Sequence, residues 1–221
     1  MTQRGNRRAE IFDTDADRDA YLRFVKQYAE RHGLAVWAYC LMPNHVHLVV
    51  VPARDESLGL ALRDAHTVYA MYFNTRMDLT GHLWQGRFRS CPMDGAHLWA
   101  AVRYVERNPV RAGLVERAEA YPWSSAAAHC GLRRDPLLSN EFPPPGVIGD
   151  WEEWLSDSED EEYVKRIRTH THTGRPCGTP DFLEQLENLL QRALRPKRRG
   201  PKPRKAVPEK PSAEAYFVVC P

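Results

Sequence analysis

Polar and apolar positions recur along this chain with two different periods. From Thr14 to His32 the residues Tyr21, Leu22, Val25, Tyr28 and Ala29 return at helical spacing, Thr14-x-x-Asp17 is the pair of a capping box, and Gly33 supplies a stop. Leu34-Ala-Val-Trp-Ala-Tyr-Cys40 and His45-Val-His-Leu-Val-Val-Val51 are rich in β-branched and aromatic residues. They flank the turn chemistry of Met42-Pro-Asn44, which predicts a β-hairpin. A second amphipathic helix is expected from Leu58 to Asn74, with Leu58, Leu62, Ala65, Val68, Tyr69 and Tyr72 on one stripe. Short strand-like pieces, broken by Gly86 and Pro92, lie between His82 and Met93. A third helix, Ala96 to Arg107, has to stop near Asn108, because the residue before Pro109 is pushed out of helical geometry.

This order of elements predicts an α+β domain over residues 1–132, an antiparallel sheet with helices on one face. Residues 133–149, which include Phe142-Pro-Pro-Pro-Gly146, read as a Pro-rich linker. Residues 150–194 read as a helical extension. An acidic helix runs from Asp150 to Arg168, and an amphipathic helix opened by Thr179-Pro180 continues to Leu194. From 195 to 221 the Pro, Lys and Arg content predicts a basic, disordered tail.

With 221 residues, 43% of them hydrophobic and 27% charged, the chain can build one cored domain with appendages, which excludes a large multidomain machine. No apolar run approaches the roughly 20 residues of a membrane span, and the opening Met-Thr-Gln-Arg-Gly-Asn has no apolar signal core, so a cytoplasmic location is expected. Five scattered cysteines without a Cys-x-x-Cys pair argue against a disulfide framework or a cysteine zinc site. The net charge of +2 conceals two blocks: eight acidic and no basic residues from Asp150 to Glu162, eight basic and no acidic residues from Arg192 to Lys205. Within the first 149 residues, 17 of 18 basic side chains are arginine, which forks onto phosphate oxygens where lysine offers a point charge.

On a strand, His45 and His47 share one face while Val46, Leu48 and Val50 take the other. Two imidazoles side by side are half of a metal site or a pair of half-buried packing histidines; a further ligand decides which. Tyr104 and Asn108, four residues apart, lie one turn from each other, and Leu98, Val102 and Val105 form the packing stripe of that helix. A tyrosine with an amide one turn away can bring a nucleophile and a third ligand together; each residue alone reads equally as a helix-surface tyrosine or a helix-ending asparagine. His170-Thr-His172 repeats the His-x-His spacing but precedes a turn-like Thr173-Gly174-Arg-Pro176, and is rejected as the metal site. Arg87 and Arg89 around Phe88, Trp84, and Arg4, Arg7 and Arg8 can hold phosphates and stack bases, although Trp84 and Phe88 also suit sheet packing. Lys197, Arg198, Arg199, Lys202, Arg204 and Lys205 suit a flexible phosphate-binding arm.

Four motifs occur in order: Tyr39-Cys-Leu-Met-Pro-Asn-His-Val-His-Leu-Val-Val50, Leu83-Trp-Gln-Gly-Arg-Phe88, Tyr104-Val-Glu-Arg-Asn-Pro-Val-Arg-Ala-Gly-Leu-Val115 and Tyr121-Pro-Trp-Ser-Ser125. Together they resemble the REP-associated tyrosine transposases, relatives of the insertion-sequence transposases in the HUH endonuclease superfamily, over residues 2–130. The resemblance implies a ferredoxin-like fold, His45 and His47 as ligands of Mg²⁺ or Mn²⁺, Asn108 at the third ligand position, and Tyr104 as nucleophile. It implies cleavage and strand transfer on single-stranded DNA carrying a hairpin, through a 5′-phosphotyrosine. Two rivals stay open: a relative that binds hairpin DNA without cutting, and a metal-dependent hydrolytic nuclease. Monomer and homodimer are both compatible with the sequence. Family members place a strand before Thr2-Gln-Arg-Gly-Asn6, so the first strand is expected to be cut short or missing here.

Overall fold

The computed structural model describes residues 1–142, 147–158 and 160–195. Its centre is a three-stranded antiparallel sheet, β1 (Thr2–Arg4), β2 (Leu34–Met42) and β3 (His45–Pro52), in the order β1-β3-β2. The hairpin turn falls on Pro43-Asn44 and pairs Met42 with His45 and Cys40 with His47. The α+β class stands, and the first strand is short rather than missing: Thr2–Arg4 form it, setting Thr2 opposite His47 and Arg4 opposite His45. The strand-like stretch 82–93 closes its other side, since Thr2 and Arg89 exchange both backbone hydrogen bonds (2.8 and 2.9 Å) and the Gln85 N–H donates to the Arg4 carbonyl (2.9 Å). A three-residue strand persists because both its edges are satisfied.

Helices α1 (Asp15–His32) and α2 (Ser57–Arg76) cover one face of the sheet. Tyr21, Val25, Leu62 and Tyr69 pack there on Val36, Leu41, Val46 and Leu48, the apolar alternation of the hairpin. Helix α1 opens with the expected capping box and ends on a left-handed Gly33 (φ 67°). The expected placement of the helices on one face is corrected: α3 (Gly95–Glu106) and the short α4 (Asn108–Arg111) cover the opposite face, where Cys40 and Met42 offer apolar surface. Ala101, Tyr104 and Val105 of α3 pack there with Cys40 and Met42. Asn108 thus begins a turn rather than ending a helix, because Pro109 in a first turn needs no N–H partner.

After α5 (Ala126–His129), the segment read as a linker packs back on the domain: Leu137 joins the main core, and Phe142 stacks 4.8 Å from Trp37. The single acidic helix is replaced by two, α6 (Trp151–Ser156) and α7 (Glu161–Thr173), with Asp160 capping the second. Helix α7 runs through His170-Thr-His172, so that pair stands on a helix and not on a strand, and the helix stops at Gly174 (φ 68°) where the turn-like stretch begins. Helix α8 (Pro180–Leu190) is capped by Thr179 and ends at Gln191, short of Leu194. Residues 196–221, including Lys197, Arg198, Arg199, Lys202, Arg204 and Lys205, lie outside the described residues. Among the described residues, no helix is long and apolar enough to cross a membrane.

Candidate active site

Strand alternation places the two imidazoles together, with ring centroids 4.9 Å apart and planes at 82°. Asn44, in the turn, sets the His45 ring through a 2.7 Å hydrogen bond between its Oδ1 and Nδ1. Burial, reinforced by the Arg4 guanidinium, lowers His45 to about 4. Burial also pushes His47 well below the ordinary imidazole range, helped by His45, the N-terminal ammonium, Arg111 and Arg4. Neutral rings keep their lone pairs available as ligands.

The sheet and α3 meet at His47 and Tyr104, whose rings stand edge to face with centroids 5.8 Å apart. Arg111 also holds the tyrosine: its guanidinium carbon lies 4.3 Å from the ring centroid, and its Nη2 donates to the Tyr104 carbonyl at 2.6 Å. The position follows from α4, which turns the chain so that Arg111 reaches back over α3. Asn108 is buried, and its amide nitrogen has no hydrogen-bond partner. An unpartnered buried amide is costly unless something else occupies the site.

His45, His47, Tyr104 and Asn108 line one cavity of about 690 Å³. Arg4, Arg8, Arg87 and Arg89 line it as well. Two other candidates do not reach it. Arg7 is exposed and off the wall, and Trp84 is turned into the core, its indole N–H donating to the His66 carbonyl (2.9 Å) and its ring packed near Tyr21 and Tyr69. Sequence reasoning missed Arg111, Arg168 and Thr171, and set aside His172; the last three lie on the cavity wall. Arg111 was inside a quoted motif, seven residues after Tyr104. The other three belong to a distant helix, and only the Arg168, Thr171, His172 spacing marks them as one face.

Among the described residues there is no group of three His, Cys, Asp or Glu side chains able to hold a metal. The donor set that the cavity offers is two imidazoles and the Asn108 amide, which suits a divalent cation whose remaining positions are filled by substrate oxygens and water. The Asn108 amide would contribute its oxygen to such an ion; its unpartnered nitrogen is a hydrogen-bond donor and suits a phosphate or water oxygen instead.

Residues 2–108 match the family model described as Transposase IS200 like. The chain is also similar to a protein of Haemophilus influenzae named as a REP-associated tyrosine transposase, at 27% identity over 111 residues, covering 45% of this chain and 63% of the relative. This chain thus spans less than two thirds of that relative's length. A solved structure of a REP-associated tyrosine transposase bound to a REP hairpin aligns with a TM-score of 0.46 at 20% identity, over 60% of this chain and 79% of that one.

Proposed function

We propose that the chain cuts and rejoins single-stranded DNA that carries a hairpin, using Tyr104 as nucleophile. The observation that carries this reading is a single cavity that holds His45, His47, Tyr104 and Asn108 within a collar of arginines. Arg4, Arg8, Arg87 and Arg89 bind the phosphodiester backbone and draw a strand toward the tyrosine. Arg111 fixes the ring and backbone of Tyr104, so that the phenol oxygen enters at a set angle. That oxygen attacks phosphorus and the bond to the 3′-oxygen breaks. The phenolic proton passes to solvent, and the departing oxygen takes a proton to become a free 3′-hydroxyl. The strand remains attached through a 5′-phosphotyrosine. Attack on that ester by another 3′-hydroxyl releases the phenol and joins two strands, with no external energy source.

His45, His47 and Asn108 are the residues that would hold a divalent cation, Mg²⁺ or Mn²⁺. Such an ion supplies Lewis acidity toward the phosphate and neutralises developing charge.

The test is to incubate the full chain with hairpin-bearing single-stranded oligonucleotides and Mn²⁺, then run a denaturing gel. A denaturant-resistant protein–DNA adduct is expected, abolished by Tyr104→Phe and by a chelator. Cutting without an adduct would replace the reading with a hydrolytic nuclease, and retarded mobility without cutting would leave a binding module.

A further inference from the structure

We propose that helix α7, which lies beyond the family-matched segment 2–108, is a wall of the cleavage site, with Arg168 gripping a backbone phosphate of the strand that Tyr104 attacks. The proposal rests on the function proposed above and adds to it a binding residue from outside the shared domain.

The first observation is placement. Arg168, Thr171 and His172 are spaced i, i+3, i+4 on α7 and line the same cavity as Tyr104 and the histidine pair. With Arg4, Arg8, Arg87 and Arg89, Arg168 makes five arginines on this wall, and none of the lining residues is Asp or Glu. A concave surface with that much uncompensated positive charge calls for a polyanion, and the guanidinium fork matches phosphate oxygens.

The second observation is how firmly the helix is seated. Ile167, adjacent to Arg168, is 3% exposed and packs in one cluster with Tyr104, Val105, Cys40 and Met42. The Tyr163 hydroxyl donates to the His97 carbonyl of α3 (3.0 Å). Just past the helix, the Cys177 N–H donates to the Pro92 carbonyl (2.8 Å), and the Thr179 N–H to Asp94 Oδ2 (2.7 Å). Both ends of α7 are therefore tied to the chain that leads into α3.

The third observation joins α7 to the other wall. The Arg89 guanidinium donates to the backbone carbonyl of His172, so the end of α7 orients an arginine contributed by the stretch beside β1. Helix α7 thus supplies one phosphate ligand and positions another.

The experiment measures binding of the hairpin-bearing single strand to the full-length protein over a salt series. Arg168→Ala is expected to weaken binding about tenfold and to reduce the slope of log K against log[salt] by about 0.7, the value of one phosphate contact on a single strand. Arg168→Lys is expected to keep the slope while losing part of the affinity, and Lys165→Ala, on an exposed position of the same helix, to change neither. Arg168 is exposed, so its replacement should leave the thermal midpoint unchanged. Affinity and slope equal to wild type in Arg168→Ala would overturn the proposal, whatever Tyr104→Phe does to the adduct. A lost slope in a protein that never forms an adduct would uphold the α7 contact and remove the cleavage reading instead. A wild-type chain that fails to bind the strand defeats both.

Discussion

Glu106, two residues after Tyr104, has a carboxylate wholly enclosed by protein. It accepts from Ser125 Oγ (2.5 Å) and Trp151 Nε1 (3.0 Å), and His129 Nδ1 lies 2.6 Å from it. One carboxylate thereby ties α3 to the segments that follow it, and keeps Tyr104 at a fixed height over the sheet. Glu106→Ala removes the acceptor and strands three buried donors, so a loss of about 3–5 kcal/mol is expected in urea unfolding. Glu106→Gln keeps one carbonyl acceptor and should lose distinctly less. Equal stability of the Ala variant and wild type would contradict this account. Nothing in the sequence pattern marks Glu106 as buried. A charged residue between Val105 and Arg107 reads as solvent-facing, and its partners come from 19 to 45 residues away.

At the scale of elements, α1 and α2 are joined by Asp17. Burial works against its charge, but the N–H groups of Thr14 and Asp13, together with Arg76 of α2, outweigh that and hold the carboxyl below its usual range. The bonds are 2.8 Å from Thr14, 2.9 Å from Asp13 and 2.7 Å from Arg76. The capping role was legible from Thr14-x-x-Asp17. The bridge to Arg76 was not, since it spans 59 residues and forms only when the two helices lie side by side. Asp17→Asn keeps the shape and loses the charge, and about 1.5–3 kcal/mol of stability should go with it, read by denaturant unfolding at pH 7. A folded pKa below the unfolded one gives a contribution present above the unfolded value and lost as pH falls through the folded value. The difference between Asp17→Asn and wild type should therefore shrink in acid.

For the whole molecule, the acid response has a specific source outside the candidate site. His66 of α2 is buried between the Tyr21 hydroxyl (3.0 Å) and the Trp84 ring, and burial lowers it to about 3. An unfolded histidine titrates near 6.5. Below that value the unfolded chain binds a proton that the folded chain refuses, so the stabilisation is full above about 6.5 and falls toward pH 3 by up to about 1.4 kcal/mol per unit. His66→Gln, which can still bond Tyr21, should make the decline between pH 6 and 4 shallower by about one proton. An unchanged slope in urea titrations at several pH values would rule out this source.

Local periodicity alone determined that His45 and His47 share a strand face, and that α1 and the hairpin begin and end where they do. These depend on repeats of two and 3.6 residues and on caps, which adjacent side chains settle among themselves. Tertiary packing alone decided that Thr2–Arg4 close the sheet, that Trp84 faces inward while Arg4, Arg8, Arg87 and Arg89 face the cavity, and that α7 brings Arg168 to it. The reason is that a residue's outward face is defined only by what packs against its element. For the cavity those partners arrive from opposite ends of the chain, over separations that no local repeat encodes.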